Sequence, residues 1–554
     1  MHTSHRPSLM TPPLHVVVPA SSRPAPGSQP LSLPASPGTL PPPADRPELS
    51  FNRRRFLRWT GAAGLGALCP PLPLLRSAGF DDSWDPDRPL LQSGRPLVVQ
   101  PVLMYRLPVP KELSSWKSWG GVQTPAAVAE EVQRITKELK AIAAANEGLF
   151  EFRSVAEVST PEQAAAVQRQ TYDVTLIYAC TGGGDLLRAC ADPARDTLIF
   201  VRHRSGPVYY WYEALSVKYL DTRDAGAAAD PSAGNFVAHV DDVVVDDPGE
   251  LTWRLRALNA VRNTRGARVL ALGGAWGKYS PDAPQQARER FGLEIVDVGY
   301  EDLAARLERA RSNPALLAAA ERWADRYLAL PGTTLKTDRP FVVNAFILYR
   351  LFKDQMAEHN ATAFTVKSCM GTIIPMSRTT ACLTLSLLND EGHAAFCESD
   401  FVVVPAGLLL RQLTRQPVFL HNSTFPHQGV ATCAHCTAPR RMDGRRYEPA
   451  QILTHYESEY GAAPKVEIPV GQRVSFVNPE YTRGRWVGFQ GVIQDNPFYD
   501  ICRSQQDVTL LGRWQALRRE VRDSHWLMVY GDWLPATGYA AHKLGLTWED
   551  LSAT

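Results

Sequence analysis

Val174-Thr-Leu-Ile-Tyr-Ala-Cys180 runs directly into Thr181-Gly-Gly-Gly-Asp185. A short apolar run rich in β-branched and aromatic residues, closed by a glycine turn, reads as a strand buried on both faces. It lacks the polar alternation that a solvated face would need. The pattern recurs: Arg268-Val-Leu-Ala-Leu272 meets Gly273-Gly274, and Thr197 to Val201 is another strand-length run. Helical segments lie between these runs. Thr124-Pro125 opens one that continues through Ala145, with threonine as cap and proline in the first turn, and Thr160-Pro161-Glu162 repeats the device. Asp247-Pro248 to Arg262 and Tyr300 to Ala310 supply two more. Strands alternating with helices predict an α/β class, with parallel sheets covered on both faces. We expect two doubly wound domains, over 95–236 and 237–405.

Beyond Pro439 the texture changes to short alternating runs: Lys465 to Ile468, Arg473 to Val477, Trp486 to Phe489 and Trp526 to Tyr530. Turn residues separate them, in Pro469-Val-Gly471 and Asn478-Pro479. This predicts a mostly antiparallel β-rich C-terminal domain, a barrel or sandwich, over 406–554. The two glycine turns match neither G-x-G-x-x-G nor the P-loop pattern, so neither supports a dinucleotide or nucleotide site. They read as plain strand-to-helix turns, with contact to a polar substrate as the functional alternative.

A chain of 554 residues exceeds what one core can bury. Basic and acidic residues nearly balance, 59 against 57, so there is no electrostatic footprint for nucleic acid. No apolar run is long enough for a multispanning membrane protein. The first fifty residues hold 13 of the 44 prolines and read as a disordered extension. Then Asn52-Arg-Arg-Arg-Phe-Leu-Arg58 precedes the uncharged stretch Trp59 to Leu75. Arg53 and Arg54 followed by Phe56 and Leu57 resemble a twin-arginine export signal, placed at 51–80. The twin-arginine machinery is therefore an expected partner. The product is expected to be periplasmic, or membrane-anchored by an uncleaved signal. Cysteine gives no disulfide framework: there are nine, and Cys433-Ala-His-Cys436 has no second pair at zinc-finger spacing.

Leu385 to Asp400 places Asp390, Glu391, Glu398 and Asp400 beside strongly apolar sequence. Acids so placed are costly to bury unless paired or bound to a cation. His421-Asn422, His427, His435 and His525 follow. Carboxylates with imidazoles from separate segments suit a divalent ion such as manganese.

These segments resemble the L-fucose isomerase and L-arabinose isomerase superfamily from about Pro96 onward. The resemblance rests on Leu388-Asn-Asp-Glu-Gly392, Cys397-Glu-Ser-Asp400, Ala434-His-Cys-Thr-Ala-Pro439, Cys502-Arg-Ser-Gln505, Ser524-His-Trp526 and Val529-Tyr-Gly-Asp532. It implies a hexamer-forming enzyme that interconverts aldoses and ketoses with Mn²⁺. Glu398 matches the metal-binding acid/base glutamate, His525 the C-terminal histidine ligand, and His435 the internal histidine ligand of the arabinose branch. The second carboxylate falls where this chain has Asn422, which can hold a metal or a hydroxyl but cannot carry a proton. Either Glu398 acts with a relay, or Asp400 or Glu391 replaces the missing acid, or isomerase activity is gone and an exported carbohydrate-binding homologue remains. Lys367 and Arg503 are expected substrate contacts.

Overall fold

The computed structural model describes residues 84–210, 215–223, 236–480, 484–520 and 524–553. The proline-rich extension and the twin-arginine segment lie outside the described residues. The helix starts follow from their caps. Thr124 Oγ1 accepts from Ala127 N ahead of helix Pro125–Ala145. Thr160 and Gln163 close a reciprocal capping box ahead of Pro161–Gln168, and Asp247 caps Pro248–Thr264 through the amides of Gly249 and Glu250.

The first sheet runs in the order Phe150–Phe152, Leu97–Met104, Val174–Ala179, Asp196–Val201, Val243–Val245, all parallel, with Ala156–Val158 also on Leu97–Met104. The second is Glu294–Val298, Arg268–Leu272, Ala363–Val366, Ala394–Cys397, also parallel. Both are buried on two faces. In the second sheet Leu270, Leu272, Phe364, Val366, Ala395 and Cys397 join one core, while Val269, Ala271, Ala363, Ala394 and Phe396 join another. That split explains why these strands read as unbroken apolar runs. The chain order reverses between Arg268–Leu272 and Ala363–Val366, which opens a crevice at their carboxyl ends.

The C-terminal part is a closed antiparallel barrel. Its strands are Arg473–Glu480, His525–Tyr530, Phe419–Ser423, Val430–His435, Ser504–Leu510 and Arg485–Asp495, and the last pairs back onto the first. Phe476 stacks on Phe489 at 4.7 Å, and Trp526 meets Phe489 edge-on at 5.0 Å. The run expected at Lys465 to Ile468 is displaced. Its strand is Tyr460–Val466, paired with Ala450–His455 in a separate small sheet with Thr333–Leu335. The barrel also begins at Phe419, upstream of the change of texture at Pro439.

Asp390, one of the four conspicuous acids, is structural. Its Oδ1 accepts from the amides of Arg440 and Arg441 at 2.7 and 2.8 Å. Its Oδ2 is buried without a partner, and burial pushes the carboxyl up from 3.8 to about 7. Between those values the folded protein binds a proton that the unfolded chain has released. Stability from this group is therefore present at low pH and lost as pH rises through about 7, by a few kcal/mol. Denaturant unfolding at pH 5 and pH 8 should show wild type losing more stability toward pH 8 than Asp390→Asn does.

Candidate metal centre

Three neighbouring parallel strands end in left-handed backbone at the crevice. Leu272 gives way to Gly273 and Gly274 at φ +80° and +92°, Val366 to Lys367 and Ser368 at φ 54° for the serine, and Cys397 to Glu398 and Ser399 at φ 65° and 48°. Glycine accepts this region freely. Glu398 and Ser399 do not, and two successive non-glycine residues there store about 1–3 kcal/mol each. The segment after Gly274 holds them in place. Trp276 Nε1 donates to the Glu398 carbonyl, Trp276 N to Ser399 O at 3.3 Å, and Phe401 N to Trp276 O at 2.9 Å. The strain thus aims one carboxylate into the crevice.

The barrel brings the other groups. In its register Asn422 lies opposite both His525 and Ala434, so the residues at 422, 435 and 525 meet at one end of adjacent strands. His525 Nε2 lies 3.5 Å and His435 Nε2 4.0 Å from the same atom, Glu398 Oε1. The ligand atoms of Glu398, His435 and His525 all fall within 4.8 Å of one another. Both rings are fixed through the opposite nitrogen: His525 Nδ1 by Asp400 Oδ2 at 2.8 Å, His435 Nδ1 by Thr437 Oγ1 at 3.0 Å. Asp400 is fully buried. It also takes the amides of Lys278 and Val402, at 3.0 and 3.2 Å.

Charge is arranged unevenly here. Burial alone would push His525 down, but its bond to Asp400 and the facing Glu398 carboxylate raise it to about 9. Burial, with the nearby charge of His525, pushes His435 down to about 3. Burial would raise Glu398, yet His525, His435 and Lys278 outweigh it and hold the carboxyl far below the usual carboxylate range. Lys278 Nζ contacts Glu398 Oε2 at 2.9 Å.

These residues fit a divalent metal ion. His525 Nε2 is buried and, 3.5 Å from Glu398 Oε1, makes no close hydrogen bond. Two imidazoles held through Nδ1 with Nε2 facing one carboxylate is the arrangement in which outer carboxylates orient metal ligands. Asn422 Nδ2 donates to Ser524 O at 3.0 Å, which leaves its amide oxygen as a further donor atom. Asparagine, imidazole and carboxylate together suit a hard-to-borderline ion. Asp400→Asn should weaken metal binding about 10–100-fold, the usual loss when an outer partner is removed. His525→Ala should instead destabilise the fold by about 3–5 kcal/mol, because it strands the buried Asp400 charge; thermal melts of the two variants separate the effects.

The centre opens on a cavity of about 400 Å³ lined by residues including Trp276, Lys278, Glu398, Asn422, His435 and Glu457. The two expected substrate contacts have partners in the protein. Lys367 Nζ lies over the Trp276 ring at 5.4 Å, and Arg503 grips Thr454 through its carbonyl and hydroxyl. Neither is among the lining residues. Of the two acids considered as replacements, Glu391 is bound by Lys353 and Tyr349 at 2.7 and 2.6 Å. Asp400 reaches the centre, as the support of His525. Sequence reasoning missed Lys278 and Trp276, which follow the Gly273-Gly274 turn, read as a plain strand-to-helix turn with contact to a polar substrate as the alternative. No protein-family model matches the chain, and no curated protein is significantly similar to it.

Proposed function

We propose that the chain is a metal-dependent aldose–ketose isomerase of the L-fucose and L-arabinose isomerase type, acting on an open-chain sugar or sugar derivative. The observation that carries this reading is the convergence of His435 and His525 Nε2 on Glu398 Oε1 at a cavity that Glu398 and His435 line. A divalent ion, Mn²⁺ in this reading, would polarise the carbonyl and the neighbouring hydroxyl of the sugar. Glu398 would take the proton from C2 and return it at C1, while the hydroxyl proton passes from O2 to O1, so the sugar keeps its formula. Lys278, held protonated beside Glu398, would offset negative charge growing on the sugar oxygens. With Asn422 unable to carry a proton and Asp400 taken up by His525 Nδ1, Glu398 is the carboxylate that Nε2 of both histidines faces. Homo-oligomer formation, two doubly wound domains and twin-arginine export belong to the same proposal.

The second reading is an exported carbohydrate-binding homologue without turnover. The specific observation in its favour is Asn422, whose amide is tied to the Ser524 carbonyl. A screen of pentoses, hexoses and their acid derivatives with Mn²⁺ tests both. Interconversion of an aldose–ketose pair, lost in Glu398→Gln, supports the isomerase. Saturable sugar binding with no conversion supports the alternative.

A further inference from the structure

Beside the first centre lies a second group of donors with different chemistry. Cys382 sits in the first turn of helix Ala381–Glu391, Cys436 directly follows strand Val430–His435, and His455 ends strand Ala450–His455. All three are buried, and their ligand atoms lie within 4.8 Å of one another. The Cys502 side chain packs against the cluster of Cys382, Cys436 and Ala463, and its thiol contacts that of Cys436. Ser458 Oγ holds His455 Nδ1 at 3.3 Å, whereas Nε2 lies 3.9 Å from the exposed Glu457 carboxylate, beyond hydrogen-bonding distance. One ring nitrogen of His455 lies within 4.8 Å of the Cys382 and Cys436 thiols.

We propose that Cys382, Cys436, His455 and Cys502 form a second metal site, for a thiophilic ion, here zinc. Zinc takes four such donors tetrahedrally, with bonds of about 2.3 Å to sulfur and 2.0 Å to nitrogen, so its ligand atoms sit roughly 3.5–3.8 Å apart. Cys382, Cys436 and His455, already within 4.8 Å of one another, reach that spacing by small side-chain rotations, and Cys502, in contact with Cys436, supplies the fourth donor by a larger one. Binding would displace the thiol protons to solvent, leaving thiolates on the metal. Ligand softness separates the two sites: thiolates select zinc, while the Glu398, Asn422 and imidazole set accepts manganese. Consecutive residues serve the two, His435 the first and Cys436 the second. The donors come from a helix of the parallel-sheet region, the end of a barrel strand, the small sheet and the segment before Ser504–Leu510, so the ion would tie these parts together. The proposal does not depend on isomerase activity.

The test uses the full chain purified under reducing conditions, with zinc measured by mass spectrometry and Co²⁺ as a spectroscopic probe. Wild type should retain about one zinc that persists in Glu398→Gln, and the cobalt form should show thiolate-to-metal charge-transfer absorption. Cys382→Ser and His455→Ala should each lower zinc retention at least tenfold. Should Cys382→Ser fail to fold, His455→Ala with unchanged circular dichroism decides the matter. The proposal is overturned if wild type holds no zinc and gives no thiolate–cobalt absorption. It is equally overturned if Glu398→Gln removes all metal, or if Cys436 is found in a disulfide with Cys382 or Cys502.

Discussion

Glu398→Gln is expected to abolish manganese-dependent sugar interconversion, lowering kcat by about 10²–10⁴-fold, the range for loss of a proton-transfer group. The substitution keeps the size of the side chain and its reach toward Lys278. It removes the charge faced by His435 and His525 Nε2 and the oxygen that could accept a proton. Because the backbone of Glu398 is anchored by Trp276 rather than by the carboxylate, the left-handed turn should survive. Losing the charge that Lys278 and His525 face should cost some thermal stability, so a melt measured beside the kinetics checks that the variant is still folded at the assay temperature while catalysis collapses. If glutamine leaves turnover intact, Glu398 is not the group that moves the proton.

The second large effect is pH dependence of metal binding. In protein stripped of metal by chelation, Asp400 and Glu398 keep His525 protonated up to about pH 9. His435 is already neutral across the working range. An ion can take His525 Nε2 only after that proton leaves, so one proton should be released for each metal bound. Affinity should then rise about tenfold per pH unit below 9, roughly 100-fold between pH 6.5 and 8.5. Calorimetry in buffers of different ionisation enthalpy counts the protons directly. Asp400→Asn weakens the hold on that proton and should flatten the slope. A pH-independent affinity would mean that His525 does not ligate through Nε2.

Much of the architecture was legible because local signals act locally. The Thr124-Pro125 and Thr160-Pro161 caps mark helix starts, and glycine turns mark the strand ends at Ala179 and Leu272. Barrel closure was not, because Arg473–Glu480 must find Arg485–Asp495 and His525–Tyr530 across the chain, and no single segment encodes that pairing. The shifted strand at Tyr460–Val466 has the same origin: its register is set by Ala450–His455. At the site, Glu398, His435 and His525 stood out by residue type and by resemblance. Asp400 was marked only as a substitute acid, since nothing in the sequence shows that its carboxylate turns toward His525 Nδ1. Cys382, Cys436, His455 and Cys502 share no recognisable spacing, as they come from four separate segments.

The most direct test is anomalous diffraction from crystals of the chain soaked in Mn²⁺. A single manganese peak within bonding distance of Glu398 Oε1 and of Nε2 of both His435 and His525 is the predicted result. No peak there at millimolar Mn²⁺, or one bound elsewhere in the cavity without these three side chains, would contradict it.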